Sequence, residues 1–216
     1  MKRVFGTVEA VFDALYLATA LVLGGWLILT GRGNPARVLA GLMALVLACG
    51  DAFHLVPRIM VIITGEEEKL RPALGRGKQV TSITMTVFYL LLWHLGLLLF
   101  APRGGGGWTG LVYLLAAVRI ALCFPPQNKW RERYPPVSWG VWRNIPFFLL
   151  GAAVAILFFL ERSTIPGLRP MWLAIALSFG FYLPVVLWSN QNPRLGMLML
   201  LKTCAYVWML VMCLAL

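Results

Sequence analysis

The sequence predicts an all-α, polytopic membrane protein: seven transmembrane helices in one bundle, with residues 1–216 forming a single domain. Two observations carry this. The chain is 60% hydrophobic and only 12% charged, with a mean hydropathy of +0.81, whereas soluble domains carry about 25% charged residues. Its apolar runs are also continuous and long, close to the roughly 20 residues that a spanning helix needs, where a barrel strand would be short and alternating. The same composition excludes a soluble domain, a nucleic-acid binder and a disordered chain.

The runs fall at about 8–30, 38–63, 79–101, 108–125, 144–160, 171–189 and 195–216. The first holds Glu9 and Asp13, and no small-residue cleavage site follows Thr30, so it is a retained span rather than a signal peptide. It ends at Gly31–Arg32–Gly33–Asn34–Pro35, where the second begins. The second is interrupted by Pro57 and stops at the charged run Glu66 to Lys78, read as a connector. The third runs from Gln79 to the turn at Pro102–Gly107, and the fourth ends at the loop Pro125–Pro136. Asn144 opens the fifth; Pro166–Pro170 separates it from the sixth, which kinks at Pro184 and closes at Asn190–Arg194 before the seventh. Gln-Asn pairs at 127–128 and 191–192 follow the fourth and sixth spans, too short a likeness to make a repeat.

Orientation follows from the loop cations. The N-terminus and the second, fourth and sixth loops carry twelve Lys and Arg (Lys2, Arg3, Arg58, Lys69, Arg71, Arg76, Lys78, Lys129, Arg131, Arg133, Arg143, Arg194). The other side carries five: Arg32, Arg37, Arg103, Arg162 and Arg169. This places the N-terminus in the cytosol, the C-terminus outside and the protein in the cell membrane as a multi-pass chain. The net charge of +11 then reads as a topology signal and an attraction to anionic membrane lipids. The cysteines Cys49, Cys123, Cys204 and Cys213 lie in or at the ends of spans without CxxC spacing, as apolar filler. Trp26, Trp108, Trp139, Trp142 and Trp188 near span ends read as interfacial belts.

The polar residues inside the spans are unevenly placed. A charge at bilayer depth costs at least about 2.5–3.5 kcal/mol, so each needs a partner, water or a short route to the interface. Glu9, Asp13 and Tyr16 share one face of the first span, and Asp51, His54 and Arg58 one face of the second. The third carries Gln79, Thr81, Ser82, Thr84 and Thr86 in its first turns. Arg119 lies near the cytosolic end of the fourth; Tyr182, Ser189 and Asn190 descend the sixth; Lys202, Thr203 and Tyr206 open the seventh. All of these fall in the cytosolic half, leaving an outer half that is apolar apart from His94 and a few hydroxyls. A polar, hydrated cavity open to the cytosol and closed by an apolar plug is the expected arrangement. Its lining residues are Asp51, His54, Arg119, Lys202, Tyr206, Asp13 and Thr84, with Asp51 paired to Lys202 or to Arg119.

Each feature has a plainer reading. Glu9 suits the positive end of a helix dipole, Arg58 and Arg119 can reach head groups, and the Thr and Ser cluster can be interhelical packing. Asp51, mid-membrane, has no such outlet.

An integral membrane transporter or ligand-binding protein fits these parts best. Its ligand would be a small anionic or zwitterionic molecule or a lipid head group, because cations outnumber carboxylates at mid-depth and Pro57, Pro146 and Pro184 supply kinks. A structural membrane protein with a buried ion pair is one alternative. Another is an intramembrane lipid-modifying hydrolase. In size and helix number the chain is similar to the ceramidase and adiponectin-receptor-like hydrolases, whose zinc rests on histidines including a His-x-x-x-His pair in the last span. Here that span offers Lys202 and Tyr206, and Asp51 and His54 match at most the second-span portion. With only His54 and His94, at opposite depths, no metal site is expected. Asp51, His54 and Ser82 compose a possible Ser/His/Asp set without a nucleophile elbow. Lys202 and Asp51 only loosely meet the needs of a retinal protein, so no cofactor is expected. The oligomeric state is left open.

Overall fold

The structure is a computed structural model that describes residues 2–102 and 105–216. Arg103, counted above among the loop cations, lies outside the described residues, as do the side chains of Lys2 and Arg3. The helices are α1 (Lys2–Thr30), α2 (Pro35–Thr64), α3 (Glu67–Phe100), α4 (Gly105–Leu122), α5 (Val137–Leu160), α6 (Met171–Trp188) and α7 (Leu198–Met212). Short 3₁₀ turns at Pro126–Asn128, Pro166–Leu168, Pro193–Met197 and Cys213–Ala215 adjoin them, and no strand occurs among the described residues. Six helical segments are long and apolar enough to cross a membrane, α6 and α7 together with their adjoining turns. The remaining one, α4, reaches about 27 Å at 1.5 Å per residue, close to the roughly 30 Å hydrocarbon core.

Polarity is distributed inside out. Leu15, Val22, Leu29, Ile63 and Leu160 are exposed, while Asp13, Thr86, Arg119, Asn128, Asn144, Ser178 and Lys202 are buried. Water would not tolerate that surface; hydrocarbon demands it. The chain is a polytopic helical membrane protein.

Neighbouring helices pack in sequence order, most extensively α2 with α3 and α1 with α2, and α1 also meets α7 to close the ring. The third helix touches α2, α4 and α5 and so runs through the middle. Away from the polar cluster its neighbours are apolar: Leu27, Leu47, Leu92, Leu95, Leu150 and Val154 are fully buried.

Three boundaries differ from the sequence expectation. The charged run is helix, because Glu67 and Glu68 sit in the first turn of α3, where the dipole favours carboxylates. Ion pairs Lys69–Glu66 and Arg71–Glu68 at i, i+3 support it further. At 34 residues α3 is therefore some 51 Å long, about 20 Å more than the hydrocarbon requires. That extension lies over the α2 kink: a methyl group on Gly77 would stand 2.7 Å from His54 Cα and closer still to the Phe53 carbonyl that Pro57 leaves free. Only a residue without Cβ fits there. The fourth helix ends at Leu122, which puts Arg119 in its last turn, where a cation complements the dipole. The fifth begins at Val137, so Asn144 lies two turns inside rather than at the mouth.

Candidate functional site

Arg119 is the largest fully buried side chain, 1% exposed. From α4 it reaches α3 and α5, where Nε donates to Thr86 Oγ1 (3.1 Å) and Nη1 to the Arg143 carbonyl (2.5 Å) and Asn144 Oδ1 (2.8 Å). Its guanidinium lies 3.9 Å above the Phe147 ring. Every one of these partners is neutral, and no carboxylate lies within 4.0 Å among the described residues. The partners are themselves fixed: Thr86 donates to Ser82 O (3.0 Å), Asn144 to Gly140 O (2.8 Å), and Tyr182 Oη donates to Asn144 Oδ1 (3.3 Å). Behind them Arg143 donates to Asn128 Oδ1 (2.7 Å) and stacks on Trp130 at 4.1 Å. Asn128 in turn ties down the carbonyls of Leu122 and Pro125 (both 2.9 Å), holding the end of α4 to the start of α5.

Lys202 of α7 enters from the other side. It is 7% exposed, and its Nζ lies 4.5 Å from the Tyr182 ring centre and 5.1 Å from that of Tyr206. Aromatic faces attract a cation, but no hydrogen bond or ion pair reaches Nζ among the described residues. It stands within electrostatic reach of Tyr182, Asp51 and Arg119. Tyr206 packs edge-on to Phe88 at 5.6 Å, and Tyr89 shares a hydrogen bond with Ser178 (3.0 Å), so an aromatic layer floors the cluster.

Asp51 completes the arrangement. It is partly buried and accepts a 2.6 Å hydrogen bond from Tyr16 Oη of α1. Lys202 faces it from beyond ion-pair distance, and Arg119 is held by other partners. The expected choice between Lys202 and Arg119 thus resolves into a third residue, Tyr16, as the direct partner. One turn below Tyr16, Asp13 is 4% exposed and makes no hydrogen bond or ion pair among the described residues. Glu9, one turn lower again, is bound by Arg58 at 2.8 Å.

The cluster therefore gathers Asp13, Asp51, Arg119, Lys202 and Tyr206. His54 stands at its edge, within electrostatic reach of Lys202, and Thr84 is a packing residue. His54 rests against the Leu74 backbone in the α3 extension, its Nδ1 buried and unbonded. Thr84 fills the space beside Gly50, where a Cβ would overlap its hydroxyl, and donates to Thr81 O (3.3 Å), which makes it an α2–α3 packing residue. Ser82 donates to Lys78 O (2.9 Å), so Asp51, His54 and Ser82 are not hydrogen-bonded to one another. No group of three metal-ligating side chains occurs among the described residues. His94 bonds Tyr113 at 2.7 Å, tying α3 to α4 far from the cluster.

Thr86, Arg143, Asn144, Tyr182 and Tyr16 are the members that sequence reasoning left out of the site. Arg143 reads as a loop cation until α5 is known to start before it, and Asn144 and Tyr182 stand in the sequence as isolated polar residues. Two open grooves flank the bundle: about 610 Å³ along Gly31, Asn34, Val38 and Leu98, and about 480 Å³ along Phe53, Pro57, Ala73 and Arg76. Neither is lined by a cluster residue. Comparison with known proteins gives no match: no family model, no curated protein and no solved structure.

Proposed function

We propose that this protein is a membrane transporter or ligand-binding protein for a small anionic or zwitterionic molecule or a lipid head group, held between Arg119 and Lys202. One observation carries this reading: two buried cations converge on Tyr182 with only neutral or aromatic contacts, and Asp51, the carboxylate that faces Lys202, is engaged by Tyr16. An uncompensated buried cation costs several kcal/mol, and an anionic ligand recovers it in charge-assisted hydrogen bonds. Arg143 and Lys78 lie between this cluster and the end of the bundle that carries Glu9 and Arg58, giving an approach with the same charge. By the loop cations that end faces the cytosol, and the membrane is the cell membrane. Pro57, Pro146 and Pro184 lie inside α2, α5 and α6, where each leaves a helical carbonyl without its N–H partner and so supplies a point at which a site packed this closely would open.

The test is ligand-dependent stabilisation in lipid nanodiscs, using inorganic phosphate, lactate, glycine and phosphocholine as probes. A probe at about 100 times its Kd adds roughly 2.7 kcal/mol of stability. Wild type melts higher with at least one of the four, and Lys202→Met loses that shift. Wild type unmoved by all four, or an undiminished shift in Lys202→Met, overturns the reading.

A further inference from the structure

Asp13 of α1 takes no part in the Arg119–Lys202 site, although it is a buried acidic residue. Asp13 is 4% exposed as a residue and its carboxyl group makes no hydrogen bond or ion pair among the described residues, while both neighbouring carboxylates are engaged, Glu9 by Arg58 at 2.8 Å and Asp51 by Tyr16 at 2.6 Å. It lies within electrostatic reach of Asp51 across the α1–α2 interface. On the far side of Asp51 stands Lys202, itself buried and without a hydrogen bond. Asp13, Asp51 and Lys202 thus stand in series within electrostatic reach of one another, with the Tyr16 hydroxyl bonded to the middle one.

We propose that Asp13 and Asp51 form a proton-exchanging pair that couples uptake of a proton to occupation of the Arg119–Lys202 anion site. This rests on the reading in the previous section. In the empty state the carboxylate of Asp51 faces Lys202. An anion arriving at Lys202 and Arg119 places negative charge beside two carboxylates in a low-dielectric interior, where like charges do not coexist cheaply. A proton from water then forms an O–H bond on the pair, and departure of the anion returns it to water. Charge inside the bundle is unchanged across the cycle. The groups facing the pair are Glu9 and Tyr16 from α1, His54 and Arg58 from α2, Lys78 from α3 beside His54, and Lys202 and Tyr206 from α7. Glu9 and Arg58 pair with one another beyond Asp13, at 2.8 Å.

Infrared difference spectroscopy of the protein in vesicles reads the protonated carboxyl stretch directly, and inorganic phosphate and phosphocholine serve as probes because neither has a carboxyl band. In wild type at fixed neutral pH the binding probe increases the carboxyl band, and Asp13→Asn and Asp51→Asn each remove that increase. Tyr16→Phe keeps both carboxyl groups and removes only the bridge, so it serves where the Asn variants fold poorly; it shifts the frequency of the band. Asn variants that superimpose on wild type, or an unmoved band in Tyr16→Phe, overturn the proton site. A band indifferent to a probe that does raise the melting temperature overturns the coupling and leaves the anion site standing. A pH-dependent band in a protein that none of phosphate, phosphocholine, lactate and glycine stabilises overturns the coupling together with the anion site.

Discussion

Removing the Lys202 charge should be more favourable without the Asp51 carboxylate than with it. With Asp51 replaced by Asn, Lys202 has no facing carboxylate, and Lys202→Met recovers the cost of a cation at depth, about 2.5–3.5 kcal/mol. It forfeits the attraction of the Tyr182 and Tyr206 rings, about 1–2 kcal/mol together. The net is a gain of about 0.5–2.5 kcal/mol. With Asp51 intact, Lys202→Met also removes the attraction between the two charges. Their separation exceeds ion-pair distance, and at an effective dielectric constant near 20 a pair 4 Å apart is worth about 4 kcal/mol, which sets the upper bound. The same substitution is therefore less favourable in wild type than in the Asn background by the coupling energy, about 1–3 kcal/mol in the double-mutant cycle. Thermal melting followed by tryptophan fluorescence in micelles measures all four proteins, with nine tryptophans as reporters. A coupling within about 0.5 kcal/mol of zero, the range of independent sites, would show that Asp51 and Lys202 do not sense one another.

Two further outcomes follow from the fold. Gly77→Ala forces backbone against backbone at the α2 kink and should cost about 1–3 kcal/mol, read by melting; wild-type stability would mean that the α3 extension is not seated on α2. In a variant lacking the four native cysteines, a cysteine at exposed Lys69 should stay unlabelled by an impermeant thiol reagent added outside cells, and one at exposed Ser163 should label; the reverse pattern inverts the orientation.

The spans were legible because lipid imposes continuous apolar runs, and the polar faces of α1 and α2 were legible because helical period aligns Asp13 with Tyr16 and Asp51 with His54. What period does not encode is which face meets which neighbour. Tyr16 and Asp51 are 35 residues apart, and their contact is settled by α1–α2 packing alone. The α3 extension was hidden for a different reason: Glu66 to Lys78 is polar enough for a loop, and only the order of its charges, acidic first and paired at i, i+3, marks it as helix. Arg119 is legible as a cation within a span, but its neutral partners Thr86 and Asn144 come from two other helices, and Asn144 lies two turns within α5 rather than at its mouth.

The central claim is that the Arg119–Lys202 cluster is a site reached by anions from water. Lys202→Cys in the cysteine-free background measures this directly, through its rates of reaction with two small thiol reagents of equal size, one carrying a sulfonate and the other a quaternary ammonium. Arg119 and Arg143 remain in place to attract the first and repel the second. The account predicts that the sulfonate reagent reacts severalfold faster, and that added salt narrows the difference. No reaction with either reagent, or faster reaction with the cationic one, would contradict it.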